Sequence, residues 1–120
     1  MPITAGTAME KELVNVAQDL EKLKGELRNA RIKYDAFIRS RAYPKSLYAY
    51  RQAMAKATAE LKIEGSAVSD RRVLSQGRAA ECEEVMTQKE IEYKWHKDNI
   101  DTIKAEMFAC QSQLKRFDEV

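Results

Sequence analysis

The chain has 120 residues, the length of one domain, and its 21 lysines and arginines against 19 aspartates and glutamates leave a net charge of +2. With 33% of residues charged and no apolar run near the roughly 20 residues that cross a bilayer, a membrane-spanning protein and a large apolar core are both excluded. Four glycines and two prolines leave most of the length free for helix, and the aromatic residues are dispersed. This pattern predicts long amphipathic helices whose thin core is completed by a partner chain or by self-assembly.

Residues 1–8 are small and are expected to fray, with Thr7 as a candidate N-cap. From there Leu13, Val16, Leu20, Leu23, Leu27, Ala30, Tyr34 and Phe37 recur in steps of three and four. That spacing is a heptad seam, and it predicts a helix about 45 Å long. The seam falters at residues 41–46, where Pro44 removes a backbone donor and biases Tyr43 away from helical geometry. A kink, or a new helix with Pro44 as its first residue, is expected there. The stripe resumes as Leu47, Tyr50, Met54, Ala57 and Leu61, out of step with the first, so the second stripe is rotated relative to it.

Residues 65–70, Gly-Ser-Ala-Val-Ser-Asp, form the clearest turn signal, with Gly65 suited to a helix C-cap and Ser69 or Asp70 to an N-cap. One uninterrupted helix is then expected over 70–117, on the seam Ala79, Cys82, Met86, Lys89, Tyr93, His96, Ile100, Ile103, Met107, Cys110, Leu114 and Phe117. The arms 9–64 and 70–117 match in length. The expected fold is therefore all-α: a single domain formed by a long antiparallel helical hairpin of coiled-coil type, broken or kinked near Pro44 and oligomeric.

Charge is segregated along this hairpin. Residues 28–56 hold eight cations (Arg28, Arg31, Lys33, Arg39, Arg41, Lys45, Arg51, Lys56) and one acid, Asp35. The excess continues past the turn in Arg71, Arg72 and Arg78. Arg28, Arg31, Arg39 and Arg51 have few acids three or four residues away, so helical ion pairs do not account for them. Tyr43, Tyr48 and Tyr50 lie around the proline at the margin of the seam, where their rings are open to stacking. Cations interleaved with rings suit single-stranded nucleic acid: the charges follow phosphates and the rings accept bases. A row of cations is also what a solvated helix face carries.

Other constellations read as structural. His96 and Lys89 occupy seam positions, where a polar residue sets register. No second histidine or paired carboxylate makes His96 a metal ligand or base. Cys82 and Cys110 lie about 42 Å apart along a straight helix and are expected to pack as small apolar residues, a usage consistent with a reducing, cytoplasmic setting. Ile91 and Trp95 flank the seam, where packing is expected, in a widened core stripe, against a third helix or in a contact between subunits. There is no phosphate loop and no nucleophile elbow, so no catalytic residue, metal or cofactor is expected.

Taken in order, the first helix with Arg31-Ile32-Lys33-Tyr34-Asp35, the run from Leu61 to Asp70, then Arg71-Arg72-Val73-Leu74 and a closing helix ending Gln113-Leu114-Lys115-Arg116-Phe117 resemble the UvsY-type recombination mediators of bacteriophages. The resemblance implies an oligomer that binds single-stranded DNA and helps a recombinase displace single-strand binding protein. This chain departs from the pattern in lacking a separate C-terminal assembly helix. The expectation is a non-enzymatic accessory factor of recombination or replication, acting in the cytoplasm of a phage host. Its DNA contacts are Arg28, Arg31, Lys33, Arg39, Arg41, Tyr43, Lys45, Tyr48, Tyr50, Arg51, Arg71 and Arg72, and its seams serve self-association. The alternative is a coiled-coil module that binds another protein, as an adaptor, a chaperone or a phage-encoded inhibitor.

Overall fold

The computed structural model of the chain describes residues 8–118. They form four helices, α1 (Ala8–Ser40), α2 (Ala42–Glu64), α3 (Val68–Arg78) and α4 (Ala80–Asp118), with no strand among the described residues. The all-helical expectation holds. Thr7 and the rest of residues 1–7 lie outside the described residues; Ala8, expected to fray, is the first residue of α1. No described helix is long and apolar enough to cross a membrane. The chain divides into two compact units, one of residues 1–34 with 96–120 and one of residues 35–95.

In the first unit the start of α1 pairs with the end of α4. Leu23, Leu27, Ala30 and Ile103 form the buried cluster, with Ile100, Met107 and Cys110 packed against it. The pairing is antiparallel: Tyr34 meets His96, their ring centroids 6.5 Å apart, while Leu23 and Asp19 lie with Ala109 and Cys110. The inward residues are the seam residues, because a period of 3.5 keeps one stripe facing the partner helix over successive turns. Val16 and Leu20 continue the buried stripe, whereas Leu13, a seam residue near the helix start, is exposed. His96 takes the structural place expected for it, half-buried beside the Tyr34 ring.

The second unit holds the junctions. α1 ends at Ser40 because Arg41 adopts the left-handed conformation, φ 56° and ψ 27°. The Arg41 N–H donates to the Ile38 carbonyl at 3.1 Å, and the Arg41 carbonyl accepts from Lys45 at 3.0 Å, opening α2. Ser40 clips the junction: its hydroxyl donates to the Phe37 carbonyl at 2.6 Å and accepts from the Ala42 N–H at 3.2 Å. Pro44 thus sits inside the first turn of α2, where no N–H is required of it, and the turn at Arg41 carries the Ser40 carbonyl away from the proline ring. The break expected over 41–46 is found at Arg41, three residues before Pro44. One expectation is corrected: Tyr43 is helical.

At the other end of α2, Gly65 takes φ 82°. The Ser66 N–H reaches the Leu61 carbonyl at 3.1 Å and the Gly65 N–H reaches Lys62 at 3.2 Å, the paired bonds of a Schellman cap. α3 starts earlier than expected. Its N-cap is extended Ala67, without a side-chain cap, and Asp70 lies in the first turn, where its charge favours the positive helix end. The expected single helix over 70–117 is also corrected. It is interrupted at Ala79, φ −95° and ψ 9°, although bonds from Ala79 to Ser75 and from Glu83 to Ala79, each 3.0 Å, carry the hydrogen-bonded backbone through the interruption.

α2 and α3 pack along a narrow face. Leu61 and Ser75 are its most buried residues, at 1% and 0% exposure. The Thr58 hydroxyl donates to the Met54 carbonyl at 2.8 Å, which commits its one proton, so the Ser75 hydroxyl donates to Thr58 Oγ1 across 3.0 Å. Thr58→Val removes the acceptor of a fully buried hydroxyl and is expected to cost about 1–3 kcal/mol. Adding Ser75→Ala should recover most of that loss in urea unfolding, since both polar partners are then gone. A double variant no more stable than the single one would contradict the pairing.

Trp95 does not join the core of the chain. It is 57% exposed, and Ile91, one turn before it, is also exposed. Neither widens the core, because the Tyr93 and Lys89 positions already fill the inward face of α4 in this unit. Cys82 and Cys110 are both free and half-buried.

Candidate nucleic-acid interface

Of the cations expected to contact DNA, Arg28, Arg31 and Lys33 lie on α1 in the first unit. Arg39, Arg41, Lys45, Arg51, Arg71 and Arg72 belong to the second unit. Arg28, Arg31, Lys33, Arg39, Arg41, Lys45, Arg51, Lys56 and Arg72 are all exposed. Among the described residues, no carboxylate pairs with any of them, whereas Lys24, Arg78, Lys89 and Lys94 each hold an acid. Residues 36–59 contain no acid at all. The repulsion among these cations is left to water and counterions, so an anion that displaces the counterions gains their release.

Arg78 is different. Its guanidinium holds Glu64 through two bonds, of 2.7 and 3.1 Å, and reaches Glu60 at 3.4 Å. It clasps α3 to α2 and is not a free cation of the band. The hydrogen bonds from Arg78 hold the Glu64 carboxyl below the usual carboxylate range, and the same bonds raise Arg78. A carboxyl lowered by folding contributes stability that is fully present above its unfolded pKa and is lost as pH falls through its folded pKa. An NMR titration of the Glu64 side chain should therefore show a midpoint below that of an unpaired glutamate, and Arg78→Ala should return it to the ordinary value. Arg71 is also engaged: its Nε donates to the Ser66 carbonyl at 3.2 Å, bracing the turn, and its side chain is half-buried.

The three tyrosines are not equivalent. Tyr43 turns inward and meets the Tyr93 ring edge-on at 6.0 Å. Tyr50 is half-buried on the inner face of α2. Tyr48 alone of the three projects outward, at 66% exposure. The helical period explains the split: Tyr43, Ser46, Leu47 and Tyr50 recur at three and four on one stripe, and Tyr48 falls on the opposite one.

Tyr48 is not isolated. Arg41, Pro44, Lys45 and Tyr48 line an open concavity of about 450 Å³ on the second unit. Arg51 follows Tyr48 by three residues on the same exposed stripe, which has no acid. The backbone here departs from local preference twice. Arg41 holds a left-handed conformation that disfavours any side chain by about 1 kcal/mol, and α2 opens with cations and no acid in its first turn, against its dipole. Such departures cluster where a ligand compensates them. No protein family, curated protein or solved structure matches this chain. Its function must follow from the chemistry of these residues.

Sequence reasoning missed Pro44 as part of this surface. The signal is present in the spacing 41, 44, 45 and 48, one face of a helical turn, but it becomes readable only once α2 is known to begin before the proline.

Proposed function

We propose that this protein is a non-enzymatic accessory factor that binds single-stranded DNA, of the recombination or replication mediator type, and that it acts as a helical oligomer in the cytoplasm of a phage host. One observation carries the reading: nine exposed cations have no carboxylate partner among the described residues and are accompanied by an outward tyrosine. Surface cations on a folded helix normally find acids one turn away, as Lys24 does with Glu21 at 3.0 Å and Lys94 with Glu90 at 3.1 Å. The band offers only Asp35, and the acids that follow it begin at Glu60. Phosphates supply the missing charge, and the counterions they shed favour association.

The test is a titration of labelled single-stranded oligonucleotide at several salt concentrations. Binding at low salt that weakens linearly on a log–log plot supports the reading. No binding at low salt removes it.

A second reading, a protein-binding helical module, draws on Ile91 and Trp95, an exposed apolar pair one turn apart on α4. Self-association in the first reading uses the heptad seams, whose residues on α4 other than Ile103 are only half-buried. Light scattering after size exclusion separates the two. A homo-oligomer that binds DNA belongs to the first, and a monomer or dimer indifferent to DNA belongs to the second.

A further inference from the structure

The concavity at the α1–α2 junction has a more specific chemistry than a phosphate-binding band. Its lining comes from four residues of one short stretch: Arg41, Pro44, Lys45 and Tyr48. At about 450 Å³ it falls within the range of sites that hold one small molecule, roughly 300–1,000 Å³. It is wide enough for a nucleotide and too open to enclose one.

Tyr48 presents its ring to solvent at 66% exposure. No hydrogen bond or ring contact within the described residues engages it, whereas Tyr43 is taken up by Tyr93. An exposed ring sharing a concavity with two unpaired cations can accept the face of a base while the charges hold neighbouring phosphates. An acidic segment of another protein would satisfy the charges, but it would leave the ring without a flat partner.

We infer that Arg41, Pro44, Lys45 and Tyr48 form a single-nucleotide subsite, in which an unpaired base stacks on Tyr48 and the two cations grip its flanking phosphates. The inference rests on the DNA-binding reading above and assigns recognition of the unpaired base to one residue of that surface. In a duplex the base faces are already stacked on one another, so the ring has nothing to receive. Tyr48 is then the discriminating residue, and Arg41 and Lys45 supply charge that either form of DNA can use. The left-handed backbone at Arg41 provides a second handle. Glycine adopts that conformation without strain, so Arg41→Gly relaxes the backbone and deletes the cation in a single change.

The experiment compares a labelled oligothymidylate with an abasic strand of equal length at low salt, by fluorescence anisotropy. It uses the full-length wild type, Tyr48→Ala, Tyr48→Phe and Arg41→Gly. The wild type should prefer the base-bearing strand. Tyr48→Ala should lose about tenfold in affinity for that strand and change little on the abasic one, while Tyr48→Phe, which keeps the ring, stays near wild type. Arg41→Gly should bind both strands more weakly while melting no lower than wild type, which separates a weakened grip from a damaged fold. Equal wild-type affinity for the two strands, or a Tyr48→Ala loss that is the same on both, overturns the subsite and leaves DNA binding standing. If, in addition, polyglutamate displaces the wild type as well as the abasic strand does, the concavity is a protein-docking surface. Failure of the wild type to bind either strand overturns the subsite and the DNA-binding reading together.

Discussion

Replacing Arg41, Lys45 and Arg51 together with glutamine is expected to weaken single-stranded DNA binding about 10²-fold at low salt and to flatten the log–log salt dependence by about 2, at roughly 0.7 for each phosphate left without its cation. The three cations share the exposed, acid-free surface that begins α2, so their removal frees neighbouring phosphates and disturbs no packing. Far-ultraviolet circular dichroism should be unchanged. Lys24→Gln provides the control, because that ammonium already serves Glu21 and lies outside the band; its salt slope should match wild type. Anisotropy titrations across a salt series give both numbers. A triple variant with the wild-type slope would mean that DNA, if bound, is bound elsewhere. Because the change removes charge and not the ring, its effect should be equal on base-bearing and abasic strands, which separates it from the Tyr48 experiment.

Leu61→Ala is expected to cost about 3 kcal/mol of folding stability, with a span of roughly 2–5 set by how far the site collapses. Leu61 is 1% exposed and sits where α2 meets α3, one turn from Thr58 and its hydrogen bond with Ser75. Few side chains in the second unit are so completely enclosed, so there is little neighbouring apolar volume to close over the cavity. Its carbonyl also receives the Ser66 N–H of the cap, so a shift of this turn loosens the chain reversal as well. Ile63→Ala, two residues on and 87% exposed, should lie within about 0.5 kcal/mol of wild type. Urea unfolding of both variants checks the contrast, and equal effects would place the core elsewhere. In a domain with a stability of about 5–15 kcal/mol, the Leu61 change alone would remove roughly a fifth to three fifths of the total.

Much of the fold is legible without coordinates. The steps of three and four from Val16 to Phe37 and from Ala79 to Phe117 place nearly every buried or half-buried apolar residue of α1 and α4 on the inner stripe, because helical geometry turns spacing directly into facing. Gly65 is readable as a cap for a similar reason, since few residues other than glycine tolerate a left-handed backbone cheaply. The interruption at Ala79 escapes the sequence, and the break near Pro44 is placed by it only to within 41–46, each for its own reason. At Ala79 no proline or strong cap marks the interruption, and the nearest cue is Gly77, whose weak helix preference does not announce a break by itself. At Arg41 the residue that bends the chain is an arginine, which has no local preference for that conformation.

The candidate interface is legible in its charges and only partly in its rings. Absence of acids between 36 and 59 is a property of the chain whatever its shape, so the exposed, unpaired state of Arg39, Arg41, Lys45 and Arg51 can be anticipated. Of the rings, Tyr50 falls on the stripe of Leu47, Met54, Ala57 and Leu61 and Tyr48 off it wherever the helix starts, but the inward place of Tyr43 depends on α2 beginning before the proline. Arg78 escapes a local reading on similar grounds. Its partners Glu60 and Glu64 lie 18 and 14 residues away, beyond the reach of any one-turn pairing rule, and they meet it only because the chain reverses at Gly65.

Helix content, the facing of each seam and the bias of charge toward the middle of the chain are thus written into residue order, since each follows from spacing or composition along a single helix. The grouping of Arg41, Pro44, Lys45 and Tyr48 around one hollow, the withdrawal of Tyr43 onto Tyr93 and the neutralisation of Arg78 come from the folded arrangement. Each depends on a junction angle or on packing between helices distant in sequence, where small differences in energy choose among backbone paths that local preferences leave nearly equal.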